Sequence, residues 1–170
     1  MVSPTSAIAR PYHCADHQRM SGRLIGIDHG NKRIGIAVSD TNRLVVRELT
    51  VIQRTTREAD FALLTRIIKQ EDIVGIVIGM PYSNAPAEVH THADTVRLWM
   101  SRLREHTTLP MIEWDENLTS ADAVDLARHL RRPPSAPLDD LAARLMLQSY
   151  VNALHEGLAE SPEDHQRNKS

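Results

Sequence analysis

Aromatic residues, cysteine and surplus basic charge are all scarce in this sequence of 170 residues. Aromatic side chains make up 4%, too few for a platform on which unpaired bases could stack. Lys and Arg number 20 against 22 Asp and Glu, so the net charge of −2 predicts no general basic surface, and any contact with nucleic acid must be local. No apolar run is long enough to span a bilayer, which argues against a membrane protein. The lone Cys14 and the absence of a secretory signal predict a cytoplasmic location.

Two polar segments flank one predicted folded unit. Residues 1–21 and 157–170 lack hydrophobic periodicity and are poor in apolar residues, so both are predicted to be disordered tails. Residues 22–156 have the length and apolar content of a single domain. Met20, just before the first apolar run, is an alternative translation start.

Hydrophobic patterning within this unit predicts an α/β fold with a five-stranded mixed sheet. Three strands at the start form an antiparallel edge, two later strands are parallel, and helices flank the sheet. The predicted strands cover 23–28, 33–39, 44–52, 73–78 and 111–114, and apolar residues at helical spacing predict helices over 57–70, over 89–103, from about 120 and from 139.

Acidic residues stand at one predicted edge of this sheet. Asp28 ends the first strand, Asp115 and Glu116 follow the last strand, and Asp139 opens the final helix. Taken one at a time, Asp28 fits a turn, Asp115 and Glu116 fit a solvated strand end, and Asp139 fits a helix cap. Together they fit a site for a hard divalent cation, which prefers several carboxylate oxygens.

Basic residues close to the same elements are candidate contacts for phosphate groups. Arginine and lysine near predicted turns could bind a nucleic-acid backbone, although each alone also fits an ordinary charged surface. The candidates are Lys32, Arg33, Arg128, Arg131 and Arg132. The loop 79–86, between a strand and a helix, is a further place where backbone N–H groups could meet a phosphate.

Four segments, in order, resemble the motifs of the YqgF/RuvX family. They are Gly26-Ile-Asp-His-Gly-Asn-Lys-Arg-Ile-Gly-Ile-Ala-Val-Ser-Asp40, Val77-Ile-Gly-Met-Pro81, Asp115-Glu-Asn-Leu-Thr119 and Leu138-Asp-Asp-Leu-Ala-Ala-Arg-Leu-Met-Leu-Gln-Ser-Tyr150. The resemblance covers nearly all of the predicted folded unit.

This resemblance implies an RNase H-like fold and a metal-dependent endonuclease. The implied catalytic and metal-binding acids are Asp28, Glu116 and Asp139, holding Mg²⁺ or Mn²⁺. Asp115 and Asp140 are neighbours that could share ligation. The implied partner is nucleic acid, either precursor rRNA cut at the 5′ end of pre-16S rRNA or branched DNA. Ribosomal subunit precursors are a further candidate partner, and the active form is either a monomer or a homodimer.

The chain departs from the family pattern in two places. Asn117 stands where the family usually has Arg, and Ala85 and Pro86 replace part of a more glycine-rich loop. Arg to Asn removes a permanent charge and a two-pronged phosphate contact.

Three other functions stay open from sequence alone. One is a Holliday junction resolvase acting on branched DNA, and another is a non-catalytic ribosome-assembly or nucleic-acid-binding factor. The third is an actin-like or sugar-kinase ATPase with Asp28 and Gly35 in its phosphate-binding turn, although the chain has room for one lobe rather than two.

Overall fold

A computed structural model describes residues 21–81, 91–115, 120–133 and 135–169. The elements follow the order β1 (Arg23–His29), β2 (Arg33–Ser39), β3 (Val46–Gln53), α1 (Arg57–Gln70), β4 (Ile73–Met80), α2 (His92–Leu103), β5 (Met111–Asp115), α3 (Ser120–His129), α4 (Asp139–His155) and α5 (Pro162–Lys169). Among these described residues, no helix is both long and apolar enough to cross a membrane.

The five strands form one sheet in the order β3-β2-β1-β4-β5. Strands β1, β2 and β3 pair antiparallel, whereas β4 pairs parallel with both β1 and β5. This confirms the predicted mixed sheet with an antiparallel edge of three strands. Because β1, β4 and β5 run in the same direction, their carboxyl ends lie at one edge of the sheet.

Helices α1 and α2 cover one face of the sheet and α4 covers the other. The α1–α2 face buries large apolar side chains such as Ile27, Phe61 and Trp99. The α4 face buries Leu24, Val77, Leu147 and others against α4. Removing apolar area from water on both faces stabilises the packing of three layers.

Helix α4 lies very close to the sheet because two glycines face it. A Cβ atom on Gly35 would lie 1.9 Å from the Asp139 carbonyl oxygen, and one on Gly26 would lie 2.7 Å from Leu147 Cβ. These distances are shorter than any van der Waals contact, so no side chain fits at either position. The start of α4 is thereby held against the hairpin of β1 and β2.

The predicted elements agree with the structure apart from two shifts: one at the third strand, and one at the second helix, which begins at His92 after its Thr91 cap rather than at residue 89. Helix α1 spans the predicted residues, and its Thr56 cap accepts a hydrogen bond from Ala59 N at 3.2 Å. The third strand begins at Val46 rather than at residue 44, because Asp40 Oδ1 accepts hydrogen bonds from the backbone of Leu44 and Val45 and holds them in a turn.

The prediction of a disordered tail over 157–170 is wrong for most of that segment. Helix α5 begins after Ser161, whose hydroxyl oxygen accepts from Asp164 N at 3.1 Å, and Pro162 packs against Gly75 of β4. Glu163 binds the fully buried Arg43 guanidinium through both carboxylate oxygens. The predicted tail over residues 1–21 lies, except for Ser21, outside the described residues.

Candidate nuclease site at the carboxyl edge of the sheet

Asp28 lies on the α4 face, at the carboxyl edge of β1. It pairs directly with Gly35 of β2, and directly opposed residues on antiparallel strands project from the same face. The hypothetical Cβ on Gly35 points at α4, so Asp28 also projects toward α4. Its flanking residues Ile27 and His29 alternate onto the opposite, α1–α2 face.

Asp139 lies over Gly35, on the same face of the sheet as Asp28. The backbone of Asp139, the first residue of α4, lies over Gly35, which is the strand partner of Asp28. No side-chain cap precedes α4, but Asp139 and Asp140 occupy its first turn, where the positive end of the helix dipole favours carboxylates. Two of the three predicted acids are therefore brought together on one face.

Arg33 binds Asp139 directly. Its Nε donates a hydrogen bond to Asp139 Oδ2 at 2.8 Å, and the two side chains are 43% and 22% exposed. Arg33 opens β2 two residues before Gly35, so strand alternation places it on the same face as Asp28. The turn that leads into Arg33 is closed by a 2.9 Å hydrogen bond from Gly30 N to the Arg33 carbonyl oxygen.

Asp140 points to a different partner from Asp139. Its two carboxylate oxygens accept from Arg132 Nη1 and Nη2 at 2.8 and 2.9 Å, and Oδ1 also accepts from Leu141 N at 3.0 Å. Asp140 is buried. With its oxygens held in this way, Asp140 anchors the start of α4 and is a poor choice for a shared metal ligand.

Glu48 extends this ion-pair network to strand β3. Its oxygens lie 3.5 Å from Arg132 and 2.9 Å from Arg144. Burial alone would raise the pKa of Glu48, but hydrogen bonds from its backbone and from Arg144, with the charges of Arg144 and Arg132, bring the pKa below its ordinary value. The hydrogen bond to Asp140 raises the pKa of Arg132.

Arg132 is held in an ion pair with Asp140 and therefore does not fit its predicted role as a phosphate contact. In the turn after helix α3, Arg131 is in the left-handed region (φ 53°). Arg131 N donates to Arg128 O and Arg132 N donates to Ala127 O, both at 3.0 Å. This turn directs Arg132 back toward Asp140. Among the other candidates, Lys32 and Arg131 are exposed, and Arg128 is 75% exposed and pairs with Asp125 at 2.9 Å.

The last predicted acids lie at the carboxyl end of β5. Asp115 pairs with Met80 of β4. It is two residues from Glu113, so both side chains project from the same face of the sheet, and Glu113 contacts Arg97 of α2 at 3.4 Å. Asp115 therefore belongs to the α1–α2 face rather than the face of Asp28. Glu116, Asn117 and residues 82–90 of the strand-to-helix loop lie outside the described residues. Within the described part of the chain, no three His, Cys, Asp or Glu side chains are grouped to hold a metal.

Two residues near the site had no role in the sequence predictions. Arg54 Nη1 donates to the Gly30 carbonyl oxygen at 3.0 Å and so supports the turn after β1. His92 Nε2 lies 3.2 Å from the His29 carbonyl oxygen and joins the start of α2 to the end of β1. Neither contact has a local sequence signal, because both join residues far apart in the chain.

His29 is neutral on the α1–α2 face. It is 3% exposed and its ring lies 4.8 Å from Trp99, and neither ring nitrogen has a hydrogen-bond partner among the described residues. Burial, with smaller contributions from the positive charges of Arg54 and His92, lowers the pKa of His29 from 6.5 to about 4. A neutral buried imidazole adds no positive charge behind the two acids.

Comparisons with known proteins agree with this architecture. Residues 22–153 match the family RuvX, described as Holliday junction resolvase. A protein of Desulforudis audaxviator, named as a candidate pre-16S rRNA nuclease, is 37% identical over 79% of this chain and 97% of its own length. A protein of Thermoanaerobacter pseudethanolicus with the same name is 32% identical over 77% of this chain and 96% of its own length.

A solved structure supports the fold. RuvC of Thermus thermophilus, solved in complex with a Holliday junction substrate, superposes with a TM-score of 0.58 at 12% identity, over 81% of this chain and 98% of RuvC. At 12% identity this likeness confirms the predicted RNase H-like fold and nothing about the activity. From the family match and the relatives at 30% identity or more, the chain belongs to the RuvX family of nucleases.

Proposed function

We propose that this chain is a divalent-metal-dependent endonuclease that processes the 5′ end of pre-16S rRNA during ribosome biogenesis in the cytoplasm. The observation that supports the proposal is that Asp28 and the start of α4 with Asp139 lie on one face, at the edge where the parallel strands end. The relatives at 37% and 32% identity are named as candidate pre-16S rRNA nucleases, which supports pre-16S rRNA as the substrate. Precursors of the small ribosomal subunit are then the partners.

The donor atoms fit a hard divalent cation. Asp28 and Asp139 offer carboxylate oxygens, the ligands that Mg²⁺ and Mn²⁺ prefer, and both side chains retain some solvent exposure for coordinating waters. Glu116, directly after β5, is proposed as the third acid. Asp140 and Asp115 are left out, because Arg132 holds the first and strand alternation directs the second to the other face.

Asp28, Glu116 and Asp139 would hold the metal and position the attacking water and the scissile phosphate. When bound, one or two Mg²⁺ or Mn²⁺ ions would lower the pKa of that water and neutralise charge on the phosphate and the departing oxygen. The pairing of β1 with β2 and the close packing of α4 on Gly35 position the backbones of Asp28 and Asp139 before substrate arrives. Lys32, Arg128 and Arg131 are exposed and are proposed to contact the substrate backbone.

The test compares cleavage by the wild type and Asp28→Asn on a precursor rRNA fragment with Mg²⁺ or Mn²⁺. Loss of metal contacts worth several kcal/mol corresponds to a rate at least about a hundredfold lower in the variant. Asp72→Asn is the matched control, because Asp72 is an exposed acid directly before β4, at the edge of the sheet opposite to Asp28. Equal rates for wild type and Asp28→Asn contradict the catalytic assignment.

Resolution of branched DNA is the second candidate, favoured by the description of the matched family. The same proteins are incubated with a four-way DNA junction, and the oligomeric state is measured by light scattering. Symmetric cuts need a homodimer, whereas trimming of rRNA can be done by a monomer. Binding without metal and without cleavage of either substrate would instead identify a non-catalytic assembly factor.

A further inference from the structure

Arg33 binds the Asp139 carboxylate, which in the proposed function holds the metal ion. Its Nε donates to Asp139 Oδ2 at 2.8 Å, and within the described residues that Nε is the only guanidinium nitrogen of Arg33 with a hydrogen-bond partner. A divalent cation bound by Asp139 would compete with this guanidinium for the same carboxylate and would repel it. The Arg33–Asp139 contact and a metal ion bound through Oδ2 of Asp139 are thus alternatives.

The neighbouring Arg132–Asp140 pair shows what a fixed ion pair looks like in this fold. Arg132 binds Asp140 through two nitrogens, and the side chains are 21% and 11% exposed. Arg33 binds Asp139 through one nitrogen, and its side chain is 43% exposed. A single-contact pair with this exposure contributes little stability, so it can exchange, whereas the two-pronged and more buried pair resists exchange.

We propose that Arg33 is an exchangeable counter-ion of Asp139: metal binding displaces its guanidinium, which then receives a phosphate of the nucleic-acid substrate. The inference rests on the proposed metal site. In the metal-free protein Arg33 neutralises Asp139 and limits repulsion between Asp139 and Asp28. After exchange Arg33 stays on the α4 face at the carboxyl edge, where a planar guanidinium can bind phosphate oxygens. Metal and substrate binding are thereby coupled through one side chain.

The first experiment measures Mn²⁺ affinity by calorimetry without nucleic acid. Removing a competing exposed ion pair predicts about two- to fivefold tighter Mn²⁺ binding in Arg33→Gln than in wild type. Arg33→Lys keeps the charge and is expected to stay near wild type. Unchanged or weaker Mn²⁺ binding in Arg33→Gln overturns the exchange, because Arg33 would then only orient Asp139.

The second experiment measures binding of the precursor rRNA fragment by fluorescence anisotropy with and without Ca²⁺, used as a probe cation. In wild type Ca²⁺ is expected to strengthen RNA binding, because it releases Arg33 to the phosphate backbone. In Arg33→Gln this gain is expected to be lost, and Arg33→Lys is expected to retain part of it. An equal gain in wild type and Arg33→Gln overturns the coupling.

Asp139→Asn separates the failure of this inference from the failure of the proposed function. If Asp139→Asn leaves Mn²⁺ affinity unchanged, the metal site itself is wrong and the exchange is overturned with it. If Asp139→Asn weakens Mn²⁺ binding and Arg33→Gln does not tighten it, only the exchange is overturned. Circular dichroism of each variant in EDTA confirms that the compared proteins are folded.

Discussion

Asp28 and His29 are consecutive residues of one strand, yet the fold gives them opposite surroundings. Asp28 lies on the α4 face, beside the start of α4 and its charged groups. His29 lies on the α1–α2 face, 3% exposed against Trp99 and neutral because burial lowers its pKa to about 4. Strand alternation alone separates a charged, hydrated position from a dry one.

The two faces are also built by different means. The α1–α2 face is filled by large apolar side chains, and its stability depends on their volume. The α4 face depends on backbone approach at Gly35 and on ion pairs such as Arg132–Asp140. The proposed catalytic site lies on the second face, where backbone contact and ion pairs position charged groups near water.

The largest effect is expected from Gly35→Ala on the α4 face. The added methyl group would lie 1.9 Å from the Asp139 carbonyl oxygen, so α4 must move and carry Asp139 away from Asp28. We expect a loss of about 3 kcal/mol or more of unfolding free energy, together with loss of cleavage. Urea denaturation and cleavage assays measure the two effects.

Gly75→Ala is the matched control on the same face. Its methyl group would meet Leu24 Cδ2 at 2.9 Å and Pro162 at 3.1 Å, and the flexible end of Leu24 can shift. A smaller loss of about 1 kcal/mol is expected, with cleavage retained. Similar losses for the two variants would show that close approach of α4 is not what distinguishes this face.

Arg132→Gln tests the ion pairs of the α4 face. The substitution leaves the buried Asp140 carboxylate without its two-pronged partner. We expect about 2 kcal/mol of destabilisation at pH 7. This value is below the range for fully buried pairs because the Arg132 side chain is 21% exposed. Arg128→Gln breaks an exposed pair and should cost less than about 0.5 kcal/mol. Equal values in urea denaturation would contradict a structural role for Arg132.

An effect of similar size, but confined to acid pH, is expected for His29 on the α1–α2 face. The imidazole protonates near pH 6.5 when unfolded and near 4 when folded, so the unfolded state binds more protons between these values. Its contribution is therefore full above pH 6.5 and falls by about 2 kcal/mol on going to pH 5. Melting curves of wild type and His29→Leu at pH 8 and pH 5 measure it, and the variant should lack this part of the acid sensitivity. Identical pH dependence in both proteins would show that His29 is not held neutral.

The sequence predicted most of the fold because its signals are local. Apolar spacing and the Thr56 cap define α1, and the turn at Gly30 defines the first hairpin. Helix α5 was missed because its sequence is polar throughout and what holds it is distant: Glu163 binds Arg43, 120 residues earlier in the chain. A helix anchored by long-range ion pairs leaves little periodic signal.

The sequence indicated Asp28 and Asp139 as site residues, and the structure places both on the α4 face. It did not rank Asp139 against Asp140, because adjacent residues of a first turn look alike until their partners are known. The catalytic and metal-binding roles of Asp28, Glu116 and Asp139, and the phosphate contacts of the exposed residues Lys32, Arg128 and Arg131, stay predictions.

By itself, the sequence determined the strands and most helices, the family and the order of the acids, because periodicity and motif spacing are properties of neighbouring residues. Only the tertiary structure decided which face Asp28, Asp115 and Asp139 occupy, and which arginine binds Asp139 and which binds Asp140. Arg33 binds Asp139, which is 106 residues later in the chain. Arg132 binds Asp140 because the preceding Arg131, in the left-handed region, directs the chain back toward α4. Such pairings follow from chain packing in three dimensions, which sequence spacing does not encode.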